Sequence, residues 1–326
     1  MVVGASGFVG GYLLPVLRKA WPDARVVGTG LEVSSLSNGT SWQRLDVTDR
    51  GAVESLIADL KPTIVIHLAA LATYRSSVLD PDLAWKVNLF GTRYVAEACL
   101  RIVPDCRFLH VGSGEVYGHA CNRFFPIGED APLEPGNIYA VTKAAADLAI
   151  GEASYRGLNA VRVRPFNHTG PGQGEALFLP AVAAQIARAE HGLGDPIIRI
   201  GNLQTARDIL DVRDVVRAYL LLLQNWNSLP RGSVFNVASG IASPMRQLLD
   251  DLISLSRVPL RIEQDPQRMR PSEVPRVAGD ASRLHSFTGW HPQHHLADTL
   301  ATVLADWRSK VSNARGVMAE GSLPGR

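Results

Sequence analysis

The sequence predicts an α/β fold in which a doubly wound parallel sheet is accompanied by a smaller α/β domain towards the C-terminus. In the first half, short β-branched runs alternate with longer stretches of helical apolar spacing. The β-branched runs lie at 25–29, 63–70, 107–112 and 160–164, and the helical stretches at 10–20, 52–61, 83–102 and 139–155. Strands that are apolar on both faces are typical of a parallel sheet covered by helices on both sides.

This alternation stops after Pro165, where a second pattern begins. Glycines and a proline predict a loop at 170–174. The elements beyond it are a helix at 180–191, extended runs at 197–200, 207–212 and 233–238 with a helix before the last of them, and a final helix at 296–310. The predicted first domain covers 1–166 and receives part of 203–240, and the second covers 167–202 and 241–311, before a flexible tail at 312–326.

The first strand is short, because only Met1, Val2 and Val3 precede the first glycine. A typical strand has ~5–6 residues. Its place before a glycine-rich turn nevertheless predicts a central strand of the sheet. We hypothesise that the natural start lies upstream of Met1, and a mass of natively expressed protein that matches Met1 would refute this.

The composition is that of a globular protein, with 46% hydrophobic and 20% charged residues. Its 33 basic and 31 acidic residues give a net charge of +2 without a basic block, which indicates neither a nucleic-acid nor a membrane partner. No apolar run reaches the ~20 residues that span a bilayer, and no signal peptide is recognised. Three scattered cysteines favour a reducing cytoplasm, and no cluster has metal-ligand spacing.

A GxxGxxG loop follows the first strand and opens the first helix. Gly4 permits the tight turn, Gly7 lets backbone N–H groups approach a pyrophosphate, and Gly10 lets helix and strand pack closely. The helix N-terminus then faces the phosphates with its partial positive charge. The strand–turn–helix context predicts a dinucleotide site whose candidate residues are Gly4, Ser6, Gly7, Phe8, Val9 and Gly10.

Other positions support a nicotinamide dinucleotide. Asp46 and Val47 would meet the adenine, and residues after a later strand leave room for the cofactor, namely Leu68, Ala69 and Ala70. The second strand ends in Thr29 and Gly30, without the acid that binds a ribose 2′-OH or an arginine for a 2′-phosphate. Because Glu32 lies a little further on, the sequence leaves NADP(H) and NAD(H) both open.

Ser113, Tyr139 and Lys143 form a set suited to carbonyl–hydride chemistry. Tyr139 and Lys143 are four residues apart and share one helix face, while Ser113 follows a strand. In such a set the tyrosine hydroxyl exchanges a proton with the reacting oxygen, the lysine lowers the pKa of the tyrosine, and the serine holds the oxygen. A tyrosine and a lysine on an amphipathic surface helix would show the same spacing, but the glycine loop and the serine favour catalysis.

With these motifs the chain resembles the extended short-chain dehydrogenase/reductase superfamily over nearly its whole length, and within it the nucleotide-sugar branch. The resemblance implies a Rossmann fold and catalytic roles for Ser113, Tyr139 and Lys143. It also implies that Asn88, in the run VNLFGT, orders the site and lies at the cofactor. Because helices that match 83–102 and 139–155 pair between subunits in that family, a homodimer is expected.

Three segments of the second half resemble enzymes of this branch that act on GDP-6-deoxyhexoses. They are RPFNHTGPGQ from Arg164, GNLQTARD from Gly201 and RPSEVP from Arg270. Since guanidinium groups match phosphate oxygens, Arg207 and Arg270 are candidates to bind a diphosphate. A surface ion pair with Asp208 is the alternative for Arg207. The other substrate-binding candidates are Glu273 for ribose hydroxyls, Asn167 for the phosphate or sugar, and His168, whose role is open.

The resemblance implies NAD(P)H-dependent reduction of the 4-keto group of GDP-4-keto-6-deoxy-D-mannose to GDP-D-rhamnose. A GDP-mannose 4,6-dehydratase uses the same three residues, and Glu115 occupies the position of its base. Between Ser113 and Glu115 stands Gly114, where those dehydratases carry a hydroxyl residue. Glycine neither gives nor takes a proton, which favours reduction, with Glu115 used for positioning. A 4-epimerase stays open, and so does a cofactor-binding sensor or scaffold, although the intact set argues against the latter.

Overall fold

The strands come from almost the whole chain, of which a computed structural model describes residues 1–32, 40–268 and 274–320. In chain order they are β1 (Val2–Val3), β2 (Val27–Gly30), β3 (Ser41–Arg44), β4 (Ile64–His67), β5 (Arg107–Val111), β6 (Ala160–Pro165), β7 (Asn167–Thr169), β8 (Ile197–Ile200), β9 (Ala206–Asp211), β10 (Val234–Val237), β11 (Ala242–Pro244), β12 (Arg261–Gln264) and β13 (Arg276–Val277). Seven of them form a parallel sheet in the order β10-β6-β5-β4-β1-β2-β3. The prediction of a doubly wound parallel sheet is therefore confirmed, and β1 is an interior strand next to the middle strand β4.

Helices cover both faces of this sheet. In chain order, the α-helices of the described residues are α1 (Phe8–Ala20), α2 (Arg50–Leu60), α3 (Tyr74–Leu79), α4 (Pro81–Ala84), α5 (Thr92–Ile102), α6 (Ile138–Tyr155), α7 (Phe178–Glu190), α8 (Val212–Gln224), α9 (Met245–Ser254), α10 (Ser282–Thr288) and α11 (Leu296–Glu320). Residues of α1 and α8 share one apolar core with the sheet, and residues of α2, α5 and α6 share the other. This arrangement explains why the strands are apolar on both faces.

Two helices differ from the sequence prediction. The stretch 83–102 is not one α-helix, because a wider π-helical segment at Trp85–Gly91 separates α4 from α5 and carries Asn88. Such segments inside helices occur frequently at functional sites. The last helix passes the predicted end at Lys310 and runs to Glu320, into the stretch expected to be a flexible tail. Its packing continues beyond Lys310, since Val311 is buried.

The second half of the chain builds smaller sheets beside the carboxyl edge of the main one. Strands β7, β9, β11 and β13 form a four-stranded sheet, and β8 pairs with β12. Residues of α7, α9 and α11 form an apolar core with β8 and β9. Phe166 connects β6 directly to β7, so the two sheets meet next to the residues that follow β5. No helix in the described ranges is long and apolar enough to cross a membrane.

Candidate active site

The candidate site lies where β1, β4 and β5 end side by side in the parallel sheet. Ligands bind at this carboxyl edge in open α/β sheets, because the loops after neighbouring strands converge there. Gly4 follows β1, Leu68 follows β4, and Ser113 stands close behind β5. The backbone N–H of Leu68 donates to the carbonyl of Val3 at 2.8 Å, which holds two of these strand ends together.

The glycine loop is shaped to receive a diphosphate. A Cβ on Gly4 would stand 2.5 Å from the backbone nitrogen of Ala69, and one on Gly10 would stand 2.1 Å from the carbonyl oxygen of Ala5. Side chains at these positions would therefore push α1 away from the strand ends. Helix α1 begins at Phe8 and presents its first N–H groups, which have no partner within the helix, towards the loop. The glycine loop from Gly4 to Gly10, together with the N-terminus of α1, fits the diphosphate of a nicotinamide dinucleotide.

The other cofactor candidates surround this loop. Asp46 is exposed after β3, and its Oδ1 accepts hydrogen bonds from the N–H and the hydroxyl of Thr48 at 2.9 and 2.8 Å. Val47 is buried, and its side chain lies against Gly91. Ala69 lies against the turn at Gly4, and Leu68 and Ala70 are half-buried.

Ser113 and Tyr139 are brought into contact from separate elements. Ser113 caps a short 3-10 turn, because its Oγ accepts from the N–H of Glu115 at 3.2 Å. The phenol of Tyr139, in the first turn of α6, is hydrogen-bonded to Ser113. Burial raises the pKa of Tyr139 to about 12, the Ser113 hydrogen bond lowers it, and the charge of Glu115 raises it further. The phenol therefore keeps its proton at neutral pH.

Lys143 lies one helical turn further along α6 and is almost completely buried, with 3% of its surface exposed. Its Nζ donates to the carbonyl of Val111 at the end of β5, at 2.7 Å. Burial lowers the pKa of Lys143 to about 8, while the nearby carboxylate of Asp147 raises it. A lysine with this pKa changes its charge just above neutral pH.

Asn88 connects the π-helical segment to the start of α6. Its Oδ1 accepts from the N–H of Leu71 at 2.8 Å, and its Nδ2 donates to Oγ1 of Thr142 at 2.9 Å. The Thr142 hydroxyl in turn donates to the carbonyl of Tyr139 at 2.9 Å. Thr142 is absent from the sequence candidates, although it stands within the run YAVTK immediately before Lys143.

Arg207, in β9, faces the site from the smaller sheet. Its Nη1 donates to the carbonyls of Ala206 at 2.9 Å and Pro275 at 3.4 Å. Burial lowers the pKa of Arg207, and the charge of Glu115 raises it, so the guanidinium lies within electrostatic range of Glu115. Asp208 does not lie at the surface, since it is buried and accepts from the N–H groups of Ser239, Gly240 and Gly279.

The remaining substrate candidates are only partly described. Asn167 is exposed in β7, whereas Arg270 and Glu273 lie outside the described residues. Nδ1 of His168 donates to the carbonyl of Phe166 at 3.0 Å, and the imidazole ring stacks on Phe8 of the glycine loop with centroids 6.3 Å apart. The candidate substrate segment is thus packed directly on the candidate cofactor loop.

Gly114 is covered by an aromatic ring. A Cβ on this glycine would stand 2.9 Å from Cδ2 of Phe166. A serine or threonine would therefore not fit unless Phe166 moved. Among the described residues, no group of three or more His, Cys, Asp or Glu side chains is arranged to hold a metal ion.

Comparison with known proteins shows the family to which the chain is similar. The model of the NAD dependent epimerase/dehydratase family matches residues 1–238. A GDP-6-deoxy-D-mannose reductase of Pseudomonas aeruginosa is 36% identical over 95% of this chain and 97% of its own length. A UDP-glucose 4-epimerase of Mycolicibacterium smegmatis is 29% identical over 95% of this chain and 98% of its own length. The solved structure of RMD from Pseudomonas aeruginosa complexed with NADPH matches with a TM-score of 0.79 at 33% identity, covering 95% of this chain and 98% of that one.

Proposed function

Because this chain belongs to the NAD dependent epimerase/dehydratase family and is an NAD(P)-dependent nucleotide-sugar oxidoreductase, we propose that it reduces GDP-4-keto-6-deoxy-D-mannose to GDP-D-rhamnose. The observation that carries the choice of reaction is Gly114, which stands between Ser113 and Glu115 and has no hydroxyl group. The space for a side chain at this position is filled by the ring of Phe166. The choice of substrate is supported by the similarity to a relative named GDP-6-deoxy-D-mannose reductase.

The reaction adds a hydride to C4 of the sugar and a proton to its O4. Bound NADPH or NADH supplies the hydride. Tyr139 holds the proton, since burial keeps its pKa near 12 and the phenol stays protonated until the oxygen of the sugar becomes basic. In this proposal Ser113, which is hydrogen-bonded to the same phenol, donates to that oxygen as negative charge develops on it.

Other side chains hold this pair in place. Lys143 brings a positive charge to the α6 face that carries Tyr139, and Val111 restrains its ammonium group. That charge stabilises the phenolate that Tyr139 becomes after it gives up its proton. Asn88 and Thr142 tie the first turn of α6 to the segment before α5, which limits movement of the phenol relative to the sheet.

A dehydratase must also remove a proton from C5 and expel the C6 hydroxyl, which requires a base and an acid at adjacent positions. Glu115 can serve as a base, but Gly114 offers no acid. Arg207, within electrostatic range of Glu115, favours a different use of this carboxylate. We propose that Glu115 orients the guanidinium towards the diphosphate of the substrate, because charge-assisted hydrogen bonds to phosphate are strong and directional.

The test supplies GDP-4-keto-6-deoxy-D-mannose with NADPH or NADH and follows loss of the reduced cofactor by absorbance, with products identified by mass and NMR spectroscopy. The expected result is cofactor oxidation matched by GDP-D-rhamnose. A parallel arm supplies GDP-mannose alone. A 4-keto product in that arm would identify a dehydratase, and a 4-epimer without net cofactor oxidation in assays with nucleotide sugars would identify an epimerase. Either result would overturn the proposed reduction.

We also propose that two copies of the chain pair through α5 and α6. Leu148 and Tyr155 lie seven residues apart on one face of α6 and are 60% and 96% exposed. Exposed apolar side chains grouped on one helix face favour burial against a partner. Light scattering after gel filtration should give a dimer mass for the unmodified protein and a monomer mass for Leu148→Glu. Ile241→Glu, at an exposed position on another surface, is the control and should stay dimeric.

A further inference from the structure

We propose that Asp147 is a positioning residue for the reduction, because it keeps Lys143 charged while Tyr139 gives up its proton. This inference rests on the proposed function and deepens it, since it assigns a role in the same site to a carboxylate that is completely buried. The residues that carry the argument form the α6 charge cluster, namely Lys143, Asp147, Arg162 and Arg164.

Asp147 lies one helical turn beyond Lys143 on α6. Residues four apart on a helix are neighbours on one face. The ammonium of Lys143 donates to the carbonyl of Val111 at 2.7 Å, at the end of β5. The carboxylate of Asp147 reaches the next residue of the chain, since its Oδ2 lies 3.6 Å from a Cβ built on Gly112. Both charged groups therefore meet the sheet at the same strand end, where burial leaves little water to screen one from the other.

Two arginines of β6 hold the carboxylate of Asp147 in place. Its Oδ1 accepts from Nη1 of Arg162 at 2.8 Å and from Nη2 of Arg164 at 2.9 Å, and its Oδ2 accepts from Nε of Arg164 at 3.1 Å. Nη1 of Arg164 donates in turn to the hydroxyl oxygen of Tyr117 at 2.9 Å. Because these bonds fix Asp147 from the strand side, its charge stays beside the same face of α6 that carries Lys143.

Other polar groups approach Lys143 from the neighbouring elements. His67 in β4 and His110 in β5 lie within electrostatic range of its ammonium. Burial and the charge of Lys143 lower the pKa of both histidines well below 6.5, so both are neutral at pH 7. Tyr139 keeps its proton, because burial raises its pKa to about 12. The π-helical segment presents the neutral Asn88 to the residue before Lys143.

The signs of the charges decide what Asp147 does. Within the α6 charge cluster, Lys143 and the two arginines are cations and Asp147 is the anion. Burial lowers the pKa of Lys143, and the carboxylate of Asp147 raises it. The carboxylate of Glu115 acts on Tyr139, whose pKa it raises. Asp147 therefore opposes the effect of burial on Lys143 and preserves the positive charge that stabilises the phenolate of Tyr139.

The test measures the ionisation of Lys143 directly. The chain has five lysines, so NMR of the full chain labelled with ¹³C at lysine Cε can follow each of them as the pH is raised from about 6 to about 10. Lys143→Met identifies the signal of Lys143. Asp147→Asn should lower the pH midpoint of that signal by about one unit or more, because a neighbouring opposite charge is lost.

Arg162→Gln is a second variant, with an expected effect of opposite sign. It removes a cation and leaves the pair of Asp147 and Arg164, so the midpoint of Lys143 should rise by about 0.3–1 unit. The side chain of Arg162 is 15% exposed, so its loss is easier to tolerate than that of a completely buried carboxylate, and this variant decides if Asp147→Asn does not fold. Asp250→Asn removes the same charge from an exposed pair with Arg246 on α9, and as the matched control it should leave the midpoint unchanged.

An unchanged midpoint in Asp147→Asn, or a lowered one in Arg162→Gln, would overturn the inference. So would a midpoint that moves as far in Asp250→Asn as in Asp147→Asn. In assays of the reduction, the pH at which kcat/KM falls should move with the midpoint of each variant, and a fall that stays in place would overturn the positioning role.

The NMR titration needs neither cofactor nor sugar, so it separates this inference from the proposed function. If the midpoints move as expected in a protein that does not reduce the sugar nucleotide, the effect of Asp147 on Lys143 is confirmed and the proposed reduction is wrong.

Discussion

The ring of Phe166 lies against Gly114 so closely that a Cβ on the glycine would stand 2.9 Å from Cδ2. Other neighbours also contact the ring. A Cβ built on Gly279 would come within 2.4 Å of Cε2, and the ring stacks on Tyr117 with centroids 6.2 Å apart. Gly114, on which the proposed choice of reduction over dehydration rests, is therefore coupled to the packing of the first residue beyond β6.

This coupling predicts the cost of adding a hydroxyl. Gly114→Ser should lower the free energy of unfolding by about 1–3 kcal/mol, because the new Cβ overpacks the site. Urea denaturation measures the loss. Combining it with Phe166→Leu should cost less than the sum of the two single changes, since the smaller side chain makes room. If the Gly114→Ser variant is as stable as the unmodified protein, the ring of Phe166 moves freely and the prediction is wrong.

Removal of the proton donor should stop turnover without loss of binding. Tyr139→Phe should lower kcat for reduction by about 10²- to 10⁴-fold, because the phenol acts in the transition state. Calorimetric titration should give a Kd for the reduced cofactor within about threefold of the unmodified value. Tyr155→Phe, which removes the same hydroxyl at the opposite end of α6, is the matched control. Unchanged kcat in Tyr139→Phe would refute the assigned role.

The lowered pKa of Lys143 predicts that the rate of reduction depends on pH above neutrality. Its pKa, lowered by burial to about 8, means that the ammonium is charged below about pH 8 and neutral above it. Because the charged form stabilises the tyrosine phenolate, kcat/KM for reduction should fall as pH rises through about 8. Lys143→Met should be much less active and should lack this transition. A profile for the unmodified protein that stays flat from pH 7 to 9.5 would contradict the prediction.

His110 predicts a pH-dependent stability. It is fully buried, neither ring nitrogen has a partner among the described residues, and burial and the charge of Lys143 lower its pKa well below 6.5. Below about pH 6.5 this histidine binds a proton in the unfolded chain but stays neutral in the folded chain. The free energy of unfolding therefore falls as the pH falls, by about 1.4 kcal/mol per pH unit. His110→Ile removes this group, so the variant should become more stable than the unmodified protein by an amount that grows as the pH decreases below about 6.5.

Urea denaturation at pH 7.5 and pH 5 measures this effect. The gain from His110→Ile should be larger at pH 5 than at pH 7.5. His295→Ala, at an exposed position, should follow the unmodified protein at both values. An equal increase in the free energy of unfolding at both pH values would contradict this prediction. It would mean that His110→Ile acts through packing and not through protonation of the histidine.

The sequence predicts the architecture and part of the site because those features depend on short-range patterns. Apolar spacing identifies strands and helices, and the strand–turn–helix context identifies the loop from Gly4 to Gly10. Tyr139 and Lys143 can be placed on one face of α6 from a spacing of four residues alone. The same reasoning misses the π-helical segment around Asn88, since its widened turns leave no mark in the apolar pattern.

By itself, therefore, the sequence determined the sheet, the glycine loop and the residue types suited to hydride chemistry. Only the tertiary structure decided which distant residues meet. It joined Asn88 to Thr142, brought Arg207 within electrostatic range of Glu115, set Phe166 on Gly114 and paired Gly30 with Arg44. These contacts follow from strand order, register and the packing of one sheet beside another. No local pattern encodes them, because each partner is specified by where the rest of the chain places it.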